Sequence, residues 1–280
     1  MKLTPVVQEG HPRLLLFFAG WAADATPFSA YRPAGMDYTV AYDYRDLWFD
    51  TGLLDRYRQV HVVGWSMGVW AAGQVLCALG ASRRARIATT TAFAGSQRPI
   101  DEREGIPPAV FQATLCQLTP ASLQKFLRRM CGSGATYRAF MQVTPRRDFA
   151  EVQEELRRIE RLVEGSKMPH NRLYDTGYKP LQLSREGVAD ATQMALVELS
   201  EGGVSIDASR CDDEATRAGG LWCYDRAYIG TGDHIFPAAN LQAHYQALGC
   251  PDVRVVDCAH YDEVLFRYLL QERWTDFNEQ

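Results

Sequence analysis

With 280 residues, 46% of them hydrophobic, the chain can bury a core in one large domain or two small ones. A net charge of −4 and a pI near 5.9 give no global electrostatic case for nucleic acid or an anionic membrane surface, so any site for a charged partner must be local. No apolar run approaches the ~20 residues that cross a bilayer.

Leu14 to Ala19 is too short for a signal-peptide core, and a cytosolic location is expected. Seven cysteines, odd in number and without a C-x-x-C pair, fit reduced thiols better than disulfides or zinc; no metal or cofactor is expected. Cys77 and Cys116, set among apolar neighbours, read as core residues.

Taken in chain order, β-type runs at Leu14 to Phe18, Tyr38 to Tyr42 and Val60 to Gly64 precede a helix over Met67 to Leu79. A further run follows at Arg86 to Thr91. From Ile106 to Val163 the β signal gives way to amphipathic helical patterns at Pro107 to Leu115, Ala121 to Met130 and Phe149 to Val163. Residues 166–222 mix turn signals with a helix near Glu186 to Leu199 and an acidic stretch at Asp212 to Glu214, and read as further insertion or lid. Strands then return at Ala227 to Gly230 and Val253 to Val256, each followed by a helix, Ala238 to Leu248 and Asp262 to Leu270. The alternation predicts an α/β protein with a mostly parallel sheet, helices on both faces and a helical cap insertion. The expected division is a core of 1–96 and 223–280 with a cap of 97–222.

Gly64-Trp65-Ser66-Met67-Gly68 is a G-x-S-x-G pattern between a strand and a helix, the setting of a nucleophile elbow. A turn tight enough to project the serine leaves no room for side chains two residues either side. Composition alone gives roughly 0.07 chance occurrences, so the match is uncommon and its context adds to it. A serine nucleophile needs a base and an acid, which in this setting follow in the order Ser, Asp, His. His260, four residues after a strand and just before a helix, is the best-placed base; His244, within a helical pattern, reads as exposed and structural, and His61 as a strand residue. Asp233 follows a strand and a glycine turn, with turn capping as its bland alternative. His234 and Asp257 stand in reserve. The oxyanion donors are expected at the amides of Met67 and Trp21, and Trp65 and Trp21 could wall an acyl pocket.

The blocks FFAGWAAD (17–24), YDYRDL (42–47), VGWSMGVWAA (63–72), PIDEREGIPPAVFQATL (99–115), FLRRMCG (126–132), IGTGDHIFPAAN (229–240) and AHYDEV (259–264) resemble the BioG type of pimeloyl-acyl-carrier-protein methyl ester esterase. Ala19 and Ala22 stand where that family more usually has Asn and Gly. The resemblance implies the α/β-hydrolase fold, a triad of Ser66, Asp233 and His260, an oxyanion hole at Trp21 and Met67, and an acyl carrier protein as partner. The implied reaction is hydrolysis of the distal methyl ester of a pimeloyl chain in biotin synthesis.

Carrier proteins are acidic, and Ala121 to Arg147 holds six basic residues and no Asp or Glu: Lys125, Arg128, Arg129, Arg138, Arg146 and Arg147. This stretch could steer such a partner, or be balanced in space by Glu151, Glu154 and Glu155. The rival readings are a thioesterase or broad carboxylesterase on the same fold, and a catalytically silent binding module.

Overall fold

The computed structural model describes the backbone of residues 1–167, 203–204 and 220–274, and the side chains of 1–165 and 220–274. The helix expected near Glu186 to Leu199 and the acidic stretch Asp212 to Glu214 lie outside the described residues.

Strands β1 (Lys2–Val7), β2 (Arg13–Phe18), β3 (Asp37–Tyr42), β5 (Gln59–Trp65), β6 (Ile87–Phe93), β8 (Arg226–Gly230) and β9 (Asp252–Val256) form one sheet in the order β1-β3-β2-β5-β6-β8-β9. All neighbours in it run parallel except β1 with β3. The two-residue strands β4 (Phe49–Asp50) and β7 (Gly203–Val204) pair separately and antiparallel.

The continuous apolar run of β2 has a physical reason. Leu14, Leu16 and Phe18 enter one apolar cluster while Leu15, Phe17 and Ala19 enter another, because alternate side chains of a strand face opposite sides of the sheet. The first cluster is covered by α2 (Met67–Ala78) and α8 (Ala238–Leu248), through residues such as Val69, Trp70, Leu241 and Tyr245. The second is covered by α9 (Glu263–Leu270), through Phe266, Leu269 and Leu270. Both faces are therefore covered, as the sequence pattern required.

β1 was not anticipated, because Pro5 interrupts KLTPVV and removes a ladder donor. The strand survives because it lies at the sheet edge, with its register slipping between Pro5 and Val7. Cys77 is buried as expected, but Cys116 is exposed: it is the last residue of the helix Pro108–Cys116.

Two four-residue helices, α1 (Gly52–Asp55) and α3 (Ala81–Arg84), flank β5 and α2 in the chain. After β6 come α4 (Pro108–Cys116), α5 (Pro120–Met130), α6 (Gly134–Phe140) and α7 (Phe149–Lys167). Thr119 and Ser122 form a reciprocal capping box that starts α5. α6, unforeseen in the sequence, is only seven residues long and is started by the Ser133 side chain accepting from the Thr136 amide. α7 buries Val152, Leu156, Ile159 and Val163 at helical spacing in the cluster that also holds Trp21 and Trp70.

Packing is very tight where α2 meets the end of β2. A Cβ on Gly68 would sit 2.1 Å from the Phe18 carbonyl oxygen and 2.5 Å from that of Ala19, both backbone atoms that cannot swing away. Gly80, in contrast, has open space around it and an ordinary φ of −66°. Gly68→Ala is therefore expected to lower stability by ~2–4 kcal/mol, and Gly80→Ala to change it by less than ~1 kcal/mol, in urea unfolding.

Candidate active site

β5 delivers Ser66 at its carboxyl end, and α2 starts immediately after it. The turn forces Ser66 to φ 58°, ψ −127°, a region that non-glycine residues avoid at a cost of ~1–3 kcal/mol. Its amide donates to the Phe93 carbonyl at 3.0 Å and its carbonyl accepts from Val69 at 3.0 Å, so the strained residue is tied on both sides. The flanking glycines are required by space. A Cβ on Gly64 would meet the Val69 Cα at 2.9 Å, and one on Gly95, at the end of β6, would meet the Ser66 carbonyl oxygen at 2.2 Å.

β9 ends at Val256 and the loop beyond it brings His260 back over the sheet, with Nε2 2.9 Å from Ser66 Oγ. β8 ends in the Gly230 turn that presents Asp233, whose Oδ2 lies 2.8 Å from His260 Nδ1. An ionised carboxylate can only accept, so Nδ1 carries the proton and Nε2 is left free to accept from the serine hydroxyl. The other oxygen of Asp233 accepts from the amides of Ile235, at 2.7 Å, and Phe236, at 3.0 Å. Asp233 thus fills the turn-capping role considered for it and the role of His260's partner at once.

His260 is 1% exposed, and its carbonyl accepts from Trp65 Nε1 at 2.8 Å. Phe236 stacks on its ring, centroids 6.0 Å apart and 6° from parallel. The imidazole is therefore held by packing as well as by hydrogen bonds.

Trp21 and Met67, the expected oxyanion residues, both line a cavity with Ser66, Trp65 and His260. The loop carrying Trp21 presses close to the serine: a Cβ on Gly20 would be 3.0 Å from Ser66 Cβ. The opposite wall comes from Val110, Phe111 and Thr114 of α4, Phe126, Arg129 and Met130 of α5, and Leu156 of α7. The space is about 550 Å³ counted with its mouth. Its lining is mostly apolar. It shares Val110, Thr114, Phe126 and Arg129 with a wider surface groove between α4 and α5, rimmed by Gln117, Ser122 and Lys125. Of these residues only Arg129 and Lys125 were singled out in the sequence, for their charge; Val110 and Thr114 share a face of α4 at a spacing of four.

His234 of the reserve pair lines the cavity, whereas Asp257 accepts from Thr231 at 3.3 Å, away from His260 Nδ1. His61 is a buried strand residue bonded to Thr89 through Nδ1 at 2.9 Å, and burial pushes its pKa down to about 4. His244 is not exposed, contrary to expectation. It is fully buried, accepting from the Gln97 amide at 3.2 Å and pairing with Glu104 at 2.8 Å, because α8 turns that face onto the loop before α4.

Of the six basic residues expected on the cap, Lys125, Arg128, Arg129, Arg138 and Arg146 are exposed. Arg147 is the exception. Its side chain is 4% exposed and pairs with Asp43 at 3.1 Å and with Glu155, so it belongs to a buried ion cluster and not to a surface patch. Of the glutamates that could have balanced the stretch, Glu155 does so at Arg147, with Glu151 4.0 Å from the same guanidinium, while Glu151 also pairs with Lys2 and Arg45 and Glu154 pairs with Arg157.

Residues 1–169 match the family described as pimeloyl-ACP methyl esterase BioG. The chain belongs to the BioG family. A Bacteroides fragilis (strain 638R) protein named malonyl-acyl-carrier-protein O-methyltransferase is 36% identical over 253 residues, 90% of this chain. The chain spans only 40% of that relative's length. The crystal structure of BioG from Haemophilus influenzae is 26% identical, covers 97% of this chain and 100% of its own, and superposes with a TM-score of 0.69. An esterase from Exiguobacterium antarcticum, 12% identical over 92% of this chain and 87% of its own, shares the fold at a TM-score of 0.54. The architecture is that of the α/β hydrolases.

The ion cluster carries a measurable consequence. Burial alone would raise Asp43, but Arg45, Arg147 and Lys2 outweigh it and hold its pKa at about 2 against an ordinary 3.8. A depressed carboxylate stabilises the fold above its unfolded pKa, so about 2 kcal/mol should be lost as pH falls from about 4 to about 2. Glu155, pushed up by burial, acts in the opposite sense. The measurement is therefore the difference in urea stability between wild type and Asp43→Asn, which should shrink across that window. At neutral pH, Arg147→Ala should cost ~3–5 kcal/mol and Arg138→Ala less than ~0.5 kcal/mol.

Proposed function

We propose that this chain is a serine carboxylesterase that hydrolyses the methyl ester of pimeloyl-acyl carrier protein, giving pimeloyl-acyl carrier protein and methanol in biotin synthesis. The observation that carries the reading is the unbroken chain Ser66 Oγ, His260, Asp233 at 2.9 and 2.8 Å, opening onto a mostly apolar cavity. His260 takes the Ser66 proton as Oγ attacks the ester carbonyl, and the amides of Met67 and Trp21 stabilise the oxyanion. His260 then returns the proton to the methoxide oxygen, and methanol leaves. Water repeats the sequence on the acyl-enzyme and releases the carboxylic acid. Asp233 orients His260 and stabilises the imidazolium that forms in each step.

Family membership supports the ester and the carrier. The apolar lining supports an acyl chain, and the adjoining groove between α4 and α5 supports an arm entering from the surface. In this reading residues 97–222 form the cap, and Lys125, Arg128, Arg129, Arg138 and Arg146 steer the acidic carrier toward that entrance. The methyltransferase name of the Bacteroides fragilis relative belongs to a protein of which this chain spans 40%.

Ser66→Ala should lower turnover at least ~1,000-fold while leaving the fold intact by circular dichroism; near-normal turnover rejects the assignment. Methanol release is the product to assay, since free carrier thiol would instead mark a thioesterase. The double charge reversal Arg128→Glu, Arg138→Glu should reduce kcat/KM for the carrier-linked ester ~10-fold or more and leave a free p-nitrophenyl ester within about twofold. An equal fall on both substrates removes the carrier-steering role.

A further inference from the structure

Apart from the triad, the most deeply buried charge among the described residues belongs to Glu155, which is 0% exposed on α7. An isolated carboxylate there is costly, and a buried ion pair can often be replaced by apolar residues of similar volume with no loss of stability. What the carboxylate holds suggests why it is there. One oxygen accepts from the Ala22 amide at 3.3 Å and the other from the Tyr44 amide at 2.8 Å. Ala22 follows Trp21 in the loop that presses on Ser66, and it sits at φ 65°, a conformation in which its Cβ is strained. The Tyr44 hydroxyl in turn donates to the Ala19 carbonyl at 2.7 Å. Glu155 therefore grips one end of the 19–22 loop directly and the other through Tyr44. Two further bonds come from the same side: Trp21 Nε1 donates to the Val152 carbonyl at 2.9 Å, and the Arg146 amide to Asp24 at 2.7 Å. Arg147 pairs with Glu155 and reaches the Ala23 carbonyl at 3.4 Å.

We infer that Glu155, held in place by Arg147, is a positioning residue for the oxyanion loop. It fixes the Trp21–Ala22 peptide and so sets the direction of the neighbouring Trp21 amide at Ser66. The inference rests on the Ser66 hydrolase reading, and it concerns the ratio of variant to wild type on any ester. Without the acceptor, Ala22 has no reason to stay at positive φ. Its relaxation rotates the Trp21 peptide, and a misplaced donor acts on the transition state more than on bound substrate.

The test uses the full chain with a p-nitrophenyl ester and a trifluoromethyl ketone, which adds to the serine to give a bound oxyanion. Glu155→Gln should lower kcat about 10- to 100-fold with KM changed less than about threefold, and weaken the ketone in step with kcat/KM. The double variant Glu155→Leu, Arg147→Met removes both charges at similar volume. Its melting temperature should return close to wild type while kcat stays low. Recovery of kcat along with melting temperature would make the pair purely structural and overturn the inference, as would a Glu155→Gln protein with wild-type kcat and ketone affinity. Should Glu155→Gln not fold, the double variant carries the same comparison. A Ser66→Ala protein as active as wild type overturns the hydrolase reading and this inference with it.

Discussion

The close approach of two backbone segments at the end of the sheet governs the rest of the site. The Phe18 and Ala19 carbonyls lie where a Cβ of Gly68 would be, and the Ser66 carbonyl lies where a Cβ of Gly95 would be. β2, β5 and β6 are therefore locked against the start of α2, and Ser66 is left in a conformation it would not choose. Strain of this kind persists only where the surroundings over-determine it. Here they do: hydrogen bonds to Phe93 and Val69 fix the serine on either side, and an apolar helix with ten buried residues backs it. The hydroxyl is consequently presented from a rigid platform, and His260 and Asp233 have only to reach it.

They reach it from strands on the far side of the sheet, and each is fixed by contacts of its own. Asp233 divides its two oxygens between the loop amides and the imidazole, so the loop cannot turn without breaking the pair. His260 is clamped between Trp65 and Phe236 and bonded through its carbonyl. Such a chain of partners suits a base whose tautomer must be defined before substrate arrives. The walls from α4, α5 and α7 close over the same point, where Ser66 and His260 are buried, and burial strengthens each of these interactions.

The parts of this arrangement legible in the sequence were those with a local signature. Strands β2, β5, β8 and β9 announced themselves by apolar runs, the elbow by its glycines, and His260 and Asp233 by their place just after strands. Where several local rules agree, the reading is secure. β1 was obscured because a proline is tolerated at an edge that only the folded sheet defines, and α6 because seven residues beginning with glycine carry too little periodicity. His244 and Cys116 went astray for a related reason: the face a helix buries depends on its neighbours, and apolar company along the chain does not decide which side meets water.

Charge was the least legible property of all. In the chain, Arg147 follows Arg146 and looks like one more member of a basic stretch, while Glu155 looks like one of several glutamates on an amphipathic helix. In the fold the two part company with their neighbours. Arg146 keeps its side chain at the surface, and Arg147 turns inward to Asp43 and Glu155, which come from segments more than a hundred residues apart. Sequence spacing cannot express that meeting, since it depends on α7 crossing the loops that follow β2 and β3. The same crossing is what lets a helix outside the central sheet take hold of the loop against Ser66. A residue that reads as ordinary surface charge can thus be the one through which the helices after β6 bear on the geometry of the candidate nucleophile.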